Sequence, residues 1–204
     1  MFSNEEVARY INQHFEPVWV SVRAVPLVTI DFGNEQVVRR TLHGNVASYV
    51  CRSNGQVTDI LPGIYTPRTW MDEMNGLIRI HDRLEAACSR SGPGLFVKYH
   101  RNALQELQSP ADAQSETFDA PDPAGSLLQR DTRINQTIRR QAIHQYLMEH
   151  PGIGPDQMKG WLYREVLNAD LDDPWLGLGE TLLGGDPFDT EPDRAESGEI
   201  GHRP

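Results

Sequence analysis

The chain has 204 residues, of which 38% are hydrophobic and 24% are charged. At roughly 100 to 200 residues per domain, this length predicts one or two domains that bury their own core. Two cysteines are too few for a disulfide scaffold, and no apolar run approaches the roughly 18 residues of a membrane span. The first residues lack a basic region followed by an apolar stretch, so we expect a cytoplasmic protein that does not enter a membrane.

The formal net charge of −10 is concentrated near the C-terminus. Residues 170–204 contain ten acidic side chains against Arg194 and Arg203. The preceding residues hold 17 basic and 19 acidic side chains, a balance without the basic patch that nucleic acids attract. We therefore expect no nucleic-acid partner.

The N-terminal residues predict a helix followed by a strand. Residues 4–15 carry apolar side chains at helical spacing, with Ser3 or Asn4 available as the cap, and Pro17 ends the pattern. The β-branched and aromatic run at 18–22 is apolar on both faces, as in an interior strand.

Two hairpins and two helices are predicted next. Residues 27–32 and 36–42 flank a glycine turn, and residues 46–51 and 56–61 flank a turn that ends in Asn54-Gly55. Thr66-Pro67 has the chemistry of a helix start. That helix carries one apolar stripe, which consists of Trp70, Met71, Met74, Leu77, Ile78, His81, Leu84 and Cys88. A further helix is expected over residues 95–107.

The second half of the chain predicts a helical unit. Residues 108–125 are rich in Pro, Asp, Ser and Ala and indicate a linker after a first domain at 1–107. Residues 126–189 are expected to form a small all-helical module, with helices starting at Asp131-Thr132 and at Pro155-Asp156. Residues 190–204 are expected to be a disordered acidic tail.

The first half resembles the thioredoxin-like fold. Residues 2–20, FSNEEVARYINQHFEPVWV, are similar to the segment after the active-site cysteines in proteins of the protein-thiol-reductase type. Residues 48–67, SYVCRSNGQVTDILPGIYTP, are similar to the closing hairpin and the start of the following helix. The resemblance implies an α/β fold in which flanking helices cover a thioredoxin-like sheet, followed by the helical module.

The functional residues of that family do not transfer to this chain. Its Cys-x-x-Cys would lie before residue 2, and its cis-proline aligns with Val46, whose peptide bond we expect to be trans. We therefore expect a non-catalytic thioredoxin-like protein that acts as a binding or scaffolding module. The alternative is a thiol-disulfide oxidoreductase whose active-site segment lies upstream of an incorrectly assigned start at Met1.

Single residues of reactive type show no catalytic arrangement. Cys51, at the end of a predicted strand, is expected to be at least half-buried, and Cys88 and His81 are expected to pack on the apolar stripe. The seven histidines lack the spacing of metal-binding motifs. The sequence therefore assigns no catalytic residue, no cofactor-binding residue and no metal ligand, and it does not require an enzyme.

The two helices between residues 142 and 167 favour a contact with another protein. Joined by a short Pro/Gly turn, they resemble a helix-turn-helix, which makes a nucleic-acid-associated protein the second alternative. The second helix offers only Lys159 and Arg164 as basic residues. We therefore expect the pair to bury its apolar faces, or to dock on a protein partner or on the first domain.

Overall fold

In a computed structural model, the chain is a mixed α/β protein with two small antiparallel sheets. The structure describes residues 1–24, 27–33, 36–41, 46–87, 92–109 and 123–176. Cys88, most of the predicted linker, the end of the helical module and the acidic tail lie outside the described residues. None of the helices within the described ranges is both long and apolar enough to cross a bilayer.

The first helix and the long central helix confirm their predicted starts. Helix α1 spans Glu5–His14, and its N-cap Asn4 accepts hydrogen bonds from the backbone N–H groups of Glu6 and Val7. Helix α2 spans Pro67–Ala86, and Thr66 caps it through a bond from the Thr69 N–H group. The two helices share a buried cluster with strand residues, which consists of Val7, Val50, Leu61, Tyr65, Trp70, Met74 and Leu77.

Both predicted hairpins are present. Strands β1, Leu27–Asp31, and β2, Val37–Thr41, pair in one sheet, and β3, Ala47–Cys51, and β4, Val57–Pro62, pair in the other. Gly55 has a φ of 82°, which explains the glycine in the β3–β4 turn. Strand β4 is buried along its whole length, and β3 is largely half-buried. The described strands join into no sheet larger than these two pairs.

The prediction of an interior strand at 18–22 is wrong. These residues form neither helix, strand, turn nor bend, and Val18, Trp19 and Val20 are 84%, 79% and 72% exposed. Composition favours a strand here, but a strand exists only where another backbone pairs with it. The segment is held at its C-terminal end, where Arg23 donates hydrogen bonds to the carbonyls of Leu171, Asp173 and Pro174.

The remaining elements are helical, as predicted. Helix α3 spans Gly92–Gln108. Helix α4, Pro123–Ile134, continues through a π-helical turn at Asn135–Arg139 into α5, Arg140–Glu149. Helix α6, Pro155–Trp161, continues into a second π-helical turn at Leu162–Val166. The predicted start at Asp131-Thr132 is wrong, because Thr132 lies inside α4 and its hydroxyl accepts from the Thr66 N–H group at 3.1 Å.

One core joins the segments before and after residues 110–122. Its buried members are Val57, Ile60, Leu84, Phe96, Ile143, Leu147, Met158, Leu162, Tyr163, Val166, Leu167 and Ala169. The Val57 N–H group also donates to the carbonyl of Ile153 at 2.9 Å. At the other end of β4, Gly63 lies so close to Asn135 that a Cβ there would come within 2.6 Å of its amide nitrogen. The segments that flank α5 therefore contact both ends of β4, and α5 itself packs against that strand.

Trp161, the last residue of α6, is half-buried. Its ring stacks on Tyr146 with centroids 3.8 Å apart and planes 14° apart, because α6 lies against the end of α5.

We expect Trp161→Ala to lower the free energy of unfolding by about 2 kcal/mol, less than for a fully buried tryptophan. Urea denaturation would measure this, with Trp175→Ala as the control because Trp175 is exposed. Equal effects of the two substitutions would mean that the stacking on Tyr146 contributes nothing.

Candidate functional site

Cys51 is exposed, which corrects the expectation that it is at least half-buried. Cys51 is the last residue of β3 and follows the buried Val50, so strand alternation turns its side chain away from the side that Val50 buries. Protein atoms around the sulfur still raise the pKa of the Cys51 thiol. A raised pKa leaves less thiolate, the form that attacks a disulfide.

We expect no disulfide reductase activity from this chain, and no effect of Cys51→Ser on it. Insulin reduction by dithiothreitol, followed as turbidity with and without the protein, would measure this. Catalysis that Cys51→Ser abolishes would contradict the prediction and favour the oxidoreductase alternative.

The pair of helices α5 and α6 is present, but its second helix presents no basic face. Helix α6 buries Met158 in the core, and the π-helical turn that continues it buries Leu162, Tyr163 and Val166. On the exposed side, Arg164 lies 3.2 Å from Glu165, which neutralises its charge. A DNA-reading helix needs several exposed basic or amide side chains, so this geometry favours packing over nucleic-acid recognition.

Five polar residues from three elements meet in the core. We call them the buried polar cluster: Asp59 of β4, Tyr99 and His100 of α3, and Arg140 and His144 of α5. Arg140 and His144 are one helical turn apart, so both side chains leave α5 on the same side. Asp59, His100, Arg140 and His144 are buried, and Tyr99 is half-buried.

The carboxylate of Asp59 is the centre of the cluster. Arg140 binds it with both terminal nitrogens, at 2.6 Å to Oδ1 and 2.9 Å to Oδ2. The hydroxyl of Tyr99 donates to Oδ2 at 2.6 Å, and the N–H group of Ile60 donates to Oδ1 at 2.7 Å. These four bonds fill the acceptor sites of the carboxylate.

The two histidines form a pair beside this ion pair. Their Nδ1 atoms lie 2.8 Å apart, so one ring donates a proton and the other accepts it. That bond requires at least one neutral imidazole. The Nε2 atom of His100 is buried and has no hydrogen-bond partner among the described residues.

Burial and neighbouring charges together set the pKa values of the ionisable groups in the cluster. Burial alone raises the pKa of Asp59, but the charge and hydrogen bonds of Arg140 outweigh it and hold that pKa below its usual range. Burial lowers the pKa of His100, and burial with the charge of Arg140 lowers the pKa of His144 to about 3. At neutral pH the cluster therefore holds one carboxylate, one guanidinium and two neutral rings.

Asp59, His100 and His144 bring potential metal ligands within 4.8 Å of one another, but their geometry does not fit a metal ion. Every acceptor site of Asp59 is already occupied by a donor. Two nitrogens on one tetrahedral zinc lie about 3.3 Å apart, farther than the hydrogen-bonded Nδ1 atoms. The guanidinium of Arg140 would also repel a cation. The arrangement is that of an internal ion pair, which ties β4, α3 and α5 together.

Sequence reasoning missed this cluster. One signal was available: Asp59 interrupts the apolar strand, and a buried carboxylate requires a partner. No local pattern identifies that partner, because Arg140 lies 81 residues away.

The second candidate site is the apolar segment, which we define as residues 18–22. Of the large hydrophobic side chains that the structure shows as exposed, most lie between residues 18 and 37: Val18, Trp19, Val20, Leu27, Ile30, Phe32 and Val37. Every residue of the apolar segment has a negative φ. Its backbone makes no hydrogen bond to the described residues. A β-prone backbone whose N–H and C=O groups have no partner among the described residues is suited to accept an added strand.

Comparison of the chain with models of protein families, with curated proteins and with solved structures gave no match.

Proposed function

We propose that this protein is a non-catalytic binding module of the thioredoxin-like class, and that the apolar segment is its contact site for other polypeptides. The order of a helix, a β-prone segment, two hairpins and a second helix in residues 5–86 supports this proposal, whereas the described strands form two separate pairs rather than one sheet. In this proposal the protein binds its partners at its surface rather than in an internal pocket.

The exposure of Trp19 carries the proposal. An indole that is 79% exposed, between two valines that are 72% and 84% exposed, costs solvation free energy unless a partner covers it. Tryptophan is also among the residues that contribute most to binding when an interface buries them.

The buried polar cluster supports a stabilising role rather than a catalytic one. Asp59 is the only carboxylate in the cluster, and it already accepts four hydrogen bonds from Arg140, Tyr99 and the backbone of Ile60. A general base needs a free lone pair directed at a substrate.

Selection from a display library of random peptides on the immobilised protein tests the proposal. We expect enriched peptides that bind wild type and Trp175→Ser but lose at least about tenfold in affinity with Trp19→Ser. Trp175 is the matched control because it is also an exposed tryptophan, at 52%.

Failure to enrich any peptide, or peptides that bind Trp19→Ser as well as wild type, would contradict the apolar segment as the contact site. Circular dichroism checks that all three proteins are folded. We expect equal spectra, because both tryptophans lie at the surface.

A further inference from the structure

We propose that the apolar segment pairs with the same segment of a second copy of this chain, as two antiparallel strands about a two-fold axis. This inference rests on the proposed function, because it names one partner for the same contact site. The occupant is a second copy rather than an arbitrary strand for reasons of side-chain size, charge and backbone hydrogen bonding.

Side-chain size is self-complementary in one register. In a two-fold antiparallel pair, one residue lies opposite its own copy and its neighbours pair symmetrically around it. With Val20 at the centre, Val18 lies opposite Val22, and Trp19 lies opposite Ser21. Each large indole then faces the smallest side chain of the segment, and Val18 and Val20 lie on the other side of the pair, beside Val22, which is half-buried against the core of its own chain.

Charge favours the same antiparallel orientation. Residues 17–22 carry no charge, Glu16 precedes them and Arg23 follows them. Antiparallel pairing places the end with Glu16 beside the end with Arg23 of the other copy, at both ends of the pair. Arg23 keeps its positive charge there while its guanidinium donates to the carbonyls of Leu171, Asp173 and Pro174 of its own chain. The negative end of the α1 macrodipole, just before residue 16, adds to the attraction for that arginine. Parallel pairing would place like charges together.

The backbone of the apolar segment can also form the hydrogen bonds of an antiparallel pair. The N–H and C=O groups of residues 18–22 are unpaired within the described part of the chain, and antiparallel pairing satisfies alternate ones on one edge. Pro17, which lacks an N–H group, falls opposite Arg23 at the end of the pair, where a proline is tolerated. The neighbouring β1–β2 hairpin exposes further apolar side chains beside the segment in the chain.

Sedimentation equilibrium tests the pairing directly. From about 1 µM to about 500 µM we expect wild type and Trp175→Ser to shift from monomer to dimer. We expect Trp19→Ser to weaken the dimer at least about tenfold. Wild type that stays monomeric over the whole range would overturn the proposal.

Cysteine cross-linking tests the register. In a Cys51→Ser/Cys88→Ser background, Val20→Cys should form a covalent dimer under mild oxidation. The two copies of residue 20 would have Cα atoms about 4.5 to 5.5 Å apart, within reach of a disulfide. Val18→Cys is the matched control, since its two copies would lie about 13 Å apart along the strands. Equal cross-linking of both variants would overturn the register.

Hydrogen exchange of the unmodified protein needs no variant. We expect alternate amides of residues 18–22 to become protected as the concentration rises. Protection that does not depend on concentration would mean that the segment pairs within its own chain, against the proposal. Self-pairing can fail while library peptides still bind through Trp19, and then the proposed function stands without it.

Discussion

Arg140→Met should lower the free energy of unfolding by about 3 to 5 kcal/mol, the largest effect that we expect from a single substitution in the described part of the chain. The substitution leaves the Asp59 carboxylate buried without its bidentate partner and removes a hydrogen bond to the carbonyl of Ile60. A buried carboxylate without a counter-charge is far more costly than a well-paired one, because the interior solvates charge poorly.

Urea denaturation measures this effect, with Arg164→Met as the matched control. Arg164 pairs with Glu165 at 3.2 Å, but both side chains are exposed, so we expect a change below about 0.5 kcal/mol. If Arg140→Met costs no more than Arg164→Met, the buried ion pair does not stabilise the fold.

A double-mutant cycle isolates the pair from its surroundings. Asp59→Leu/Arg140→Met should be more stable than the two single effects predict, with a coupling free energy of about 2 kcal/mol. The double variant is still expected to be less stable than wild type, because the hydroxyl of Tyr99 and the N–H group of Ile60 lose their acceptor. If Arg140→Met does not fold, Arg140→Lys, which keeps the charge but not the bidentate geometry, gives a measurable intermediate.

The second large expected effect is a loss of stability in mild acid. His144 has a pKa lowered to about 3 by burial and by the charge of Arg140, whereas in the unfolded chain it titrates near the ordinary value of about 6.5. Below about pH 6.5 the unfolded chain therefore binds a proton that the folded chain does not. The contribution of this histidine to the free energy of unfolding is fully present above about pH 6.5. It is lost progressively as the pH decreases towards 3.

The slope of this loss is about 1.4 kcal/mol per pH unit for each histidine that stays neutral when folded. His144 alone then costs about 2 kcal/mol between pH 6.5 and pH 5, and burial lowers the pKa of His100 in the same direction. Asp59 acts in a lower window, because its lowered pKa removes stability only below about pH 3.9.

Urea denaturation as a function of pH measures the slope in wild type, His144→Gln and Trp175→Ser. Trp175→Ser removes no titratable group and should keep the wild-type slope, whereas His144→Gln should flatten it by about one proton. Identical slopes for wild type and His144→Gln would contradict the assignment of a buried neutral imidazole. The two variants are compared by slope, so a uniform loss of stability does not affect the result.

Local chemistry determined the elements that the sequence predicted. The Asn4 cap, the Thr66-Pro67 start and the Asn54-Gly55 turn each depend on residues within a few positions of one another. Caps and turns satisfy backbone groups of their own segment, so they are readable without knowing what lies nearby in space. The hairpins and the end of α1 before Pro17 were predictable for the same reason.

Pairing and burial were decided by the tertiary structure. Residues 18–22 have the composition of a strand, but whether a strand forms depends on a second backbone, and the described residues bring none beside them. Cys51 lies on a strand as predicted, yet it is exposed, because the packed helices cover β3 only partly and leave its last residue outside the core. Neither outcome is encoded in the residues next to the position concerned.

The buried polar cluster shows the same division within one site. The sequence by itself indicated that a charge interrupts an apolar strand, and a buried charge must find a partner. Only the tertiary structure brought Arg140 and the histidines of α3 and α5 to Asp59, because an ion pair between residues 81 positions apart depends on how helices pack on the sheet. Helix packing follows from the summed contacts of many side chains, and no local pattern specifies it.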